Sequence, residues 1–210
     1  EDAAAGGRGG RMSATGRPAI VMDRDGTVCE EVGYVNHVSR VRLLPRSAAA
    51  IRAAREAGYA TVLVTNQAGV ARGYFDEALV HRVHERVREL LAAEGAAVDA
   101  IYHCPHHPEA GEPPYRTDCG CRKPRPGMIL RARDDLSLDL SRSFVVGDSM
   151  RDVEAGRRAG TATVLVLTGY GRGELEHRSG SWTSRPDHVA EDLWDAVAWI
   201  LARERAGAPR

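Results

Sequence analysis

Two carboxylates, Asp23 and Asp25, stand directly after the apolar run Ala19-Ile20-Val21-Met22, in the stretch Asp23-Arg24-Asp25-Gly26-Thr27. Acids this close resist joint ionisation, so a cation or a phosphate-handling task is the natural reason to keep them together. In an extended segment residues i and i+2 point the same way, so both could address one ligand, with Gly26 freeing the backbone and Thr27 adding a hydroxyl. Further along, Thr65-Asn66 ends a second apolar run, Asp148 follows Val145-Val146-Gly147, and Lys123 sits in Cys121-Arg122-Lys123-Pro124. This inventory suits phosphoryl transfer to a carboxylate. Asp23 would attack phosphorus, while Asp25 would protonate the leaving alkoxide and then deprotonate the hydrolytic water. Mg2+ prefers an octahedral array of oxygens, for which Asp23, the Asp25 carbonyl and Asp148 are a suitable protein share. Thr65 and Lys123 would hold the transferring phosphoryl oxygens.

A second constellation is metallic in character. Cys104-Pro105-His106 and Cys119-Gly120-Cys121 offer three thiolates and an imidazole, the ligand set of a closed tetrahedral structural Zn2+ site. Gly111, Pro113 and Pro114 leave the intervening loop little means of ordering itself, so metal would order it. The site, spanning 104–121, directly precedes Arg122-Lys123 and would fix the segment carrying those cations. His107 is the competing imidazole. Cys29, far away in sequence, is expected to be an unpaired thiol near the active-site rim.

These groups need a scaffold. Short apolar runs at Ile20–Asp23, Thr61–Thr65, Ala100–His103, Ser143–Gly147 and Thr163–Leu167 alternate with amphipathic stretches, the pattern of an α/β fold with a parallel sheet covered by helices on both faces. Helices are expected over Ser47–Ala57, Asp76–Glu94, Met128 to about Asp135, Asp152–Ala159, and near the C-terminus around Leu193, Val197, Ile200 and Leu201. Carboxyl ends of adjacent parallel strands converge on one crevice. Asp23, Asp25, Thr65, Asn66 and Asp148 would therefore share it. Residues 1–16, rich in Gly, Ala and Arg, read as a flexible tail, leaving 17–205 as a single domain.

Composition narrows the partners. The 29 basic residues balance the 29 acidic ones, which argues against nucleic acid or an anionic membrane and favours a small-molecule substrate. No apolar run approaches the roughly 20 residues that span a bilayer, and no signal-peptide core is seen. A cytoplasmic protein is expected, in keeping with clustered cysteines in a reducing compartment. Few aromatics point to a monomer.

In order along the chain, D-R-D-G-T at 23–27, T-N at 65–66, the Lys of C-R-K-P at 121–124 and G-D-S-M-R-D at 147–152 resemble the four motifs of the haloacid dehalogenase-like (HAD) phosphatase superfamily. The match spans roughly Pro18 to Tyr170. The resemblance implies a Rossmann-like core, Mg2+ dependence, a phosphoaspartate at Asp23, and Asp152 supporting the metal site. The metal loop is similar to that of the D,D-heptose 1,7-bisphosphate phosphatases and the related histidinol-phosphate phosphatases, which lack a large cap. Gly33-Tyr34-Val35, the segment Gln67 to Phe75 and the long zinc loop look like the heptose enzymes. By that resemblance the substrate is a heptose 1,7-bisphosphate losing its 7-phosphate, on the way to nucleotide-activated heptose. Glu31, Val32, Gly33, Tyr34, Thr65, Asn66, Gln67, Ala68, Arg122 and Lys123 match the family's substrate-touching positions. Arg122 is the candidate for gripping the phosphate that stays, because a planar guanidinium binds two oxygens. Ser149 departs from the Lys that often follows the metal-binding Asp in heptose enzymes. Histidinol-phosphate hydrolysis is the alternative reaction, and a non-catalytic zinc-stabilised phosphate-binding module the alternative class; retention of both Asp23 and Asp25 argues against the latter.

Overall fold

The structure, a computed structural model, describes residues 16–206. The expected flexible tail therefore lies outside the described residues, apart from Gly16. Six strands, β1 (Ala19–Met22), β2 (Ala60–Asn66), β3 (Ala100–Cys104), β4 (Phe144–Gly147), β5 (Ala162–Val166) and β6 (His188–Ala190), form one sheet in the order β3-β2-β1-β4-β5-β6. Every pairing is parallel. A parallel sheet needs crossovers, and α1 (Ser47–Glu56), α2 (Glu77–Ala93), α3 (Gly127–Leu136) and α4 (Met150–Ala159) supply them. A short α5 (Gly171–Gly173) follows β5, and α6 (Leu193–Arg205) closes the fold.

Alternation along the strands decides which helices cover which face. Ile20, Met22, Leu63, Phe144 and Val146 pack with Ile51 of α1, Val83, Val87 and Leu91 of α2, and Leu193, Val197 and Ile200 of α6. Ala19, Val21, Val62, Val64 and Val145 turn the other way, onto Met128, Ile129 and Ala132 of α3 and Ala155 of α4. β1 lies between β2 and β4 and is buried along its whole length, as its unbroken apolar sequence requires.

The helices begin and stop for local reasons. The Asp76 side chain accepts from Leu79 N at 2.8 Å to cap α2. α4 opens on a capping box in which Ser149 Oγ accepts from Arg151 N and Asp152 Oδ2 accepts from Ser149 N, and it ends at Gly160 with φ 81°.

Two sequence expectations need correction, and the competing imidazole falls outside the cysteine cluster. β6 has no counterpart among the expected strands; only three residues long, it exists by pairing Val164 with His188 and Val166 with Ala190. Cys29 is in the core and not at a rim: it is 3 % exposed, and burial pushes its thiol up to about 12. His107 is not a fourth ligand of the cysteine cluster. Its Nδ1 accepts from Glu109 N and Ala110 N, and its Nε2 meets Arg72.

Candidate active site

The carboxyl ends of β1, β2 and β4 open into a cleft of about 430 Å³ bordered by Asp23, Asp25, Thr65, Asn66, Lys123 and Asp148. Asp23 leaves β1 with its N–H donated to Val146 O at 3.0 Å, which ties it to the neighbouring strand. Its Oδ1 lies 2.8 Å from Lys123 Nζ and accepts from Arg24 N at 2.7 Å. Burial raises the Asp23 pKa to about 7 against the pull of Lys123.

Lys123 is no exposed loop cation. It is 4 % exposed, and its ammonium also meets Asp152 Oδ1 at 2.6 Å and donates to Val64 O at 3.1 Å. Asn66 explains how a loop lysine is delivered this deep: Lys123 N donates to Asn66 Oδ1 at 3.0 Å, and Asn66 Nδ2 donates to Lys123 O at 3.1 Å. These two bonds clamp the lysine backbone against the end of β2. Burial opposes the charged ammonium, but Asp152 and Asp23 outweigh it and raise its pKa.

Asp25 is held differently. Arg24, between the two acids in sequence and 1 % exposed, donates Nε to Asp25 Oδ1 at 3.0 Å and Nη2 to Asp25 Oδ2 at 2.7 Å. Gln67 Nε2 adds a bond to the same Oδ2 at 3.0 Å and another to Thr65 Oγ1 at 2.8 Å. The bidentate fork fixes the plane of the carboxylate. Spacing alone could not reveal it, because Arg24 lies in the turn beyond β1, where no periodicity says which way its side chain runs.

Asp148 is 2 % exposed, and burial, then Asp23 and Asp152, raise its pKa to about 8. Its Oδ2 accepts from Tyr170 N at 2.8 Å. Gly26 (φ 82°) and Gly169 (φ 53°) flank that oxygen so closely that a β-carbon on either would collide with it. Donor oxygens of Asp23, Asp148 and Asp152 lie within 4.8 Å of one another. Three crowded acids served by one lysine, two of them (Asp23 and Asp148) with elevated proton affinity, are a donor set of the kind a hard divalent cation takes.

The sulfur cluster sits beside this floor. Cys104, His106, Cys119 and Cys121 also bring their donor atoms within 4.8 Å, with Sγ–Sγ distances of 3.1 to 3.5 Å and His106 Nδ1 at 3.4 and 3.7 Å from two sulfurs. A tetrahedron on 2.3 Å metal–sulfur bonds has edges of roughly 3.8 Å, so these four atoms need little movement to enclose Zn2+. The hydrogen bond shared by Cys121 and Cys104 lowers the Cys121 pKa to about 5, while Cys104 itself is raised. Tyr115 Oη, in the loop between the ligand pairs, donates to Glu77 Oε2 at 2.8 Å, and His103 Nε2 meets Glu77 Oε1 at 3.0 Å. The loop is thus tied to α2 at a second point.

The remaining expected contacts divide. Glu31, Gly33, Tyr34 and Gln67 border the cleft, with Glu31 Oε1 accepting from Gly33 N at 2.5 Å to shape its loop. Val32 packs against the core and Ala68 is buried, so neither presents a side chain to the cleft. Arg122 does not border it; its Nη1 donates to His106 O at 3.3 Å. Arg151, Tyr170, Glu174 and Arg178 do border it and were not foreseen. Arg151 alone carried a sequence signal, lying inside the G-D-S-M-R-D motif.

A HAD-hydrolase-like family profile matches residues 120–196. The crystal structure of D,D-heptose 1,7-bisphosphate phosphatase from B. bronchiseptica, complexed with magnesium and phosphate, superposes with a TM-score of 0.78 at 37 % identity, covering 89 % of this chain and 99 % of that one. The D-glycero-beta-D-manno-heptose-1,7-bisphosphate 7-phosphatase of Escherichia coli K12 is 43 % identical over 153 residues, 72 % of this chain and 80 % of the relative. The D-glycero-D-manno-heptose-1,7-bisphosphate 7-phosphatase of Thermosynechococcus vestitus is 45 % identical over 190 residues, 88 % of this chain and 95 % of its own. With identity at that level running nearly end to end, and the same fold beneath it, the chain belongs to the heptose-1,7-bisphosphate 7-phosphatase family of HAD-like hydrolases.

Proposed function

We infer that this protein is a phosphoric monoester hydrolase that removes the 7-phosphate of D-glycero-D-manno-heptose 1,7-bisphosphate. The observation that carries the reading is the floor of the cleft, where a buried Lys123 joins Asp23 to Asp152 next to an Asp25 fixed by Arg24. An Asp23 oxygen attacks phosphorus, the bond from phosphorus to the C7 oxygen breaks, and Asp25 gives its proton to that oxygen. Water then attacks the phosphorus of the acyl phosphate while Asp25 takes a proton from it, freeing phosphate and restoring the Asp23 carboxylate. Lys123 faces the transferring oxygens, Thr65 orients Asp25 and the phosphoryl group, and Arg24 keeps Asp25 aimed throughout. Asp23, the Asp25 carbonyl and Asp148 would hold Mg2+, with Asp152 supporting them, and the cation would supply charge neutralisation between carboxylate and phosphate. Cys104, His106, Cys119 and Cys121 would hold Zn2+ in a structural role, outside the chemistry.

The single sheet supports reading residues 17–205 as one domain. The clustering of Cys104, Cys119 and Cys121 with His106 as a candidate metal site favours a reducing cytoplasmic setting. Of the exposed large hydrophobics Tyr34, Tyr74 and Tyr170, the first and last border the cleft, which suits a monomer that spends exposed aromatic surface on substrate.

The test is phosphate release from the heptose bisphosphate and from histidinol phosphate with Mg2+ present, the sugar product being followed by phosphorus NMR. The C7 monoester signal should vanish while the anomeric one persists. Preference for histidinol phosphate, or loss of the anomeric phosphate first, would overturn the assignment.

A further inference from the structure

A substrate with two phosphates needs positive charge in two places, and the floor of the cleft has none to spare. Lys123 is taken by Asp23 and Asp152, and Arg24 by Asp25. Ser149, the residue after Asp148, spends its hydroxyl on capping α4 and brings no charge. Cationic help for the second phosphate must come from the rim.

Two arginines line that rim, Arg151 and Arg178. Arg151 is the second residue of α4, immediately past the Asp148-Ser149 turn; it is exposed and has no ion-pair partner among the described residues. Arg178 approaches from the segment after α5, where its Nη1 lies 3.2 Å from Glu174 Oε1, itself a lining residue. Arg122 does not line the cleft and gives its Nη1–H to His106 O at 3.3 Å. Like charges gathered at one mouth are stabilised by an arriving dianion.

We propose that Arg151, assisted by Arg178, holds the phosphate that remains on the sugar and so sets the preference for a bisphosphate over a monophosphate. This rests on the bisphosphate reading above. It assigns the grip to the first turn of α4, next to Asp148, and not to Arg122.

The experiment compares kcat/KM for the heptose 1,7-bisphosphate and the heptose 7-phosphate in the native protein and in the Arg151→Ala, Arg151→Lys and Arg178→Ala variants. Both positions are exposed, so folding is spared. Arg151→Ala should lower kcat/KM for the bisphosphate by roughly 10- to 100-fold, mainly through KM, and for the monophosphate by a much smaller factor. Arg178→Ala should act in the same direction more weakly, and Arg151→Lys should recover part of the loss by restoring the charge. Equal losses on the two substrates, or none on the bisphosphate, would overturn the inference while leaving the functional reading in place. A native protein that does not cleave the bisphosphate would overturn both.

Discussion

At the scale of single residues, the site divides labour between two neighbouring acids by giving each its own cation. Asp23 faces Lys123 and Asp25 faces Arg24, so the proposed nucleophile and the proposed acid/base are positioned independently. Asp23→Asn is expected to abolish turnover with the fold intact, because an amide cannot attack phosphorus; residual steady-state phosphate release above about 1 % of native would contradict it. Asp25→Asn should slow proton transfer by ~10²–10⁴. Asn66→Ala removes both bonds that seat Lys123 and should lower kcat by about tenfold, as judged in the same assay. Placement of Asp23, Asp25, Thr65 and Asp148 at one crevice was legible from strand ends and motif order. The Arg24 fork was not, since Arg24 lies in the turn after β1 and only its long side chain reaches both oxygens of Asp25, and Arg178 was invisible because the short π-helical turn Glu174–Arg178 carries no motif.

At the scale of elements, a metal held by the loop from Cys104 to Cys121 would act on the site geometry, for Cys121 is two residues from Lys123. One tightly held zinc per chain is expected by elemental analysis. Cys121→Ser should lower the thermal unfolding midpoint and kcat together, whereas Tyr115→Phe, which frees only the Glu77 tether, should cost about 1 kcal/mol or less by denaturant unfolding. Full activity in zinc-free protein would remove the structural role. Sequence periodicity placed β1 to β5 within a residue or so, because buried strands announce themselves as unbroken apolar runs. β6 escaped, being three residues whose strand character comes from β5 and not from composition. The tether from Tyr115 to Glu77 escaped for a similar reason: 38 positions separate the partners.

At the scale of the whole molecule, the helix-covered sheet buries an imidazole it cannot charge. His84 on α2 is 6 % exposed, and burial lowers its pKa from 6.5 to about 2, with Arg24 adding to the effect. The unfolded chain binds that proton below pH 6.5 and the folded chain does not. Stability therefore falls as pH drops through that window, by ~1.4 kcal/mol per pH unit from this group. His84→Gln should flatten the dependence, so that between pH 6.5 and pH 5 the native protein loses about 2 kcal/mol more than the variant in urea unfolding. Parallel losses in the two proteins would show that His84 takes up its proton as readily in the folded state as in the unfolded one.

The clustering of Asp23, Asp148 and Asp152 around one lysine also dictates an order of arrival. A cleft so furnished is expected to repel phosphate until its acids have been answered by a divalent cation. Phosphate and its mimics should therefore enter second: in calorimetric titrations, inorganic phosphate should bind about tenfold or more weakly after chelation than with Mg2+ present. Equal affinity in the two conditions would mean that Lys123 suffices as host, and that the cleft can be filled from either side of the reaction without regard to sequence of entry.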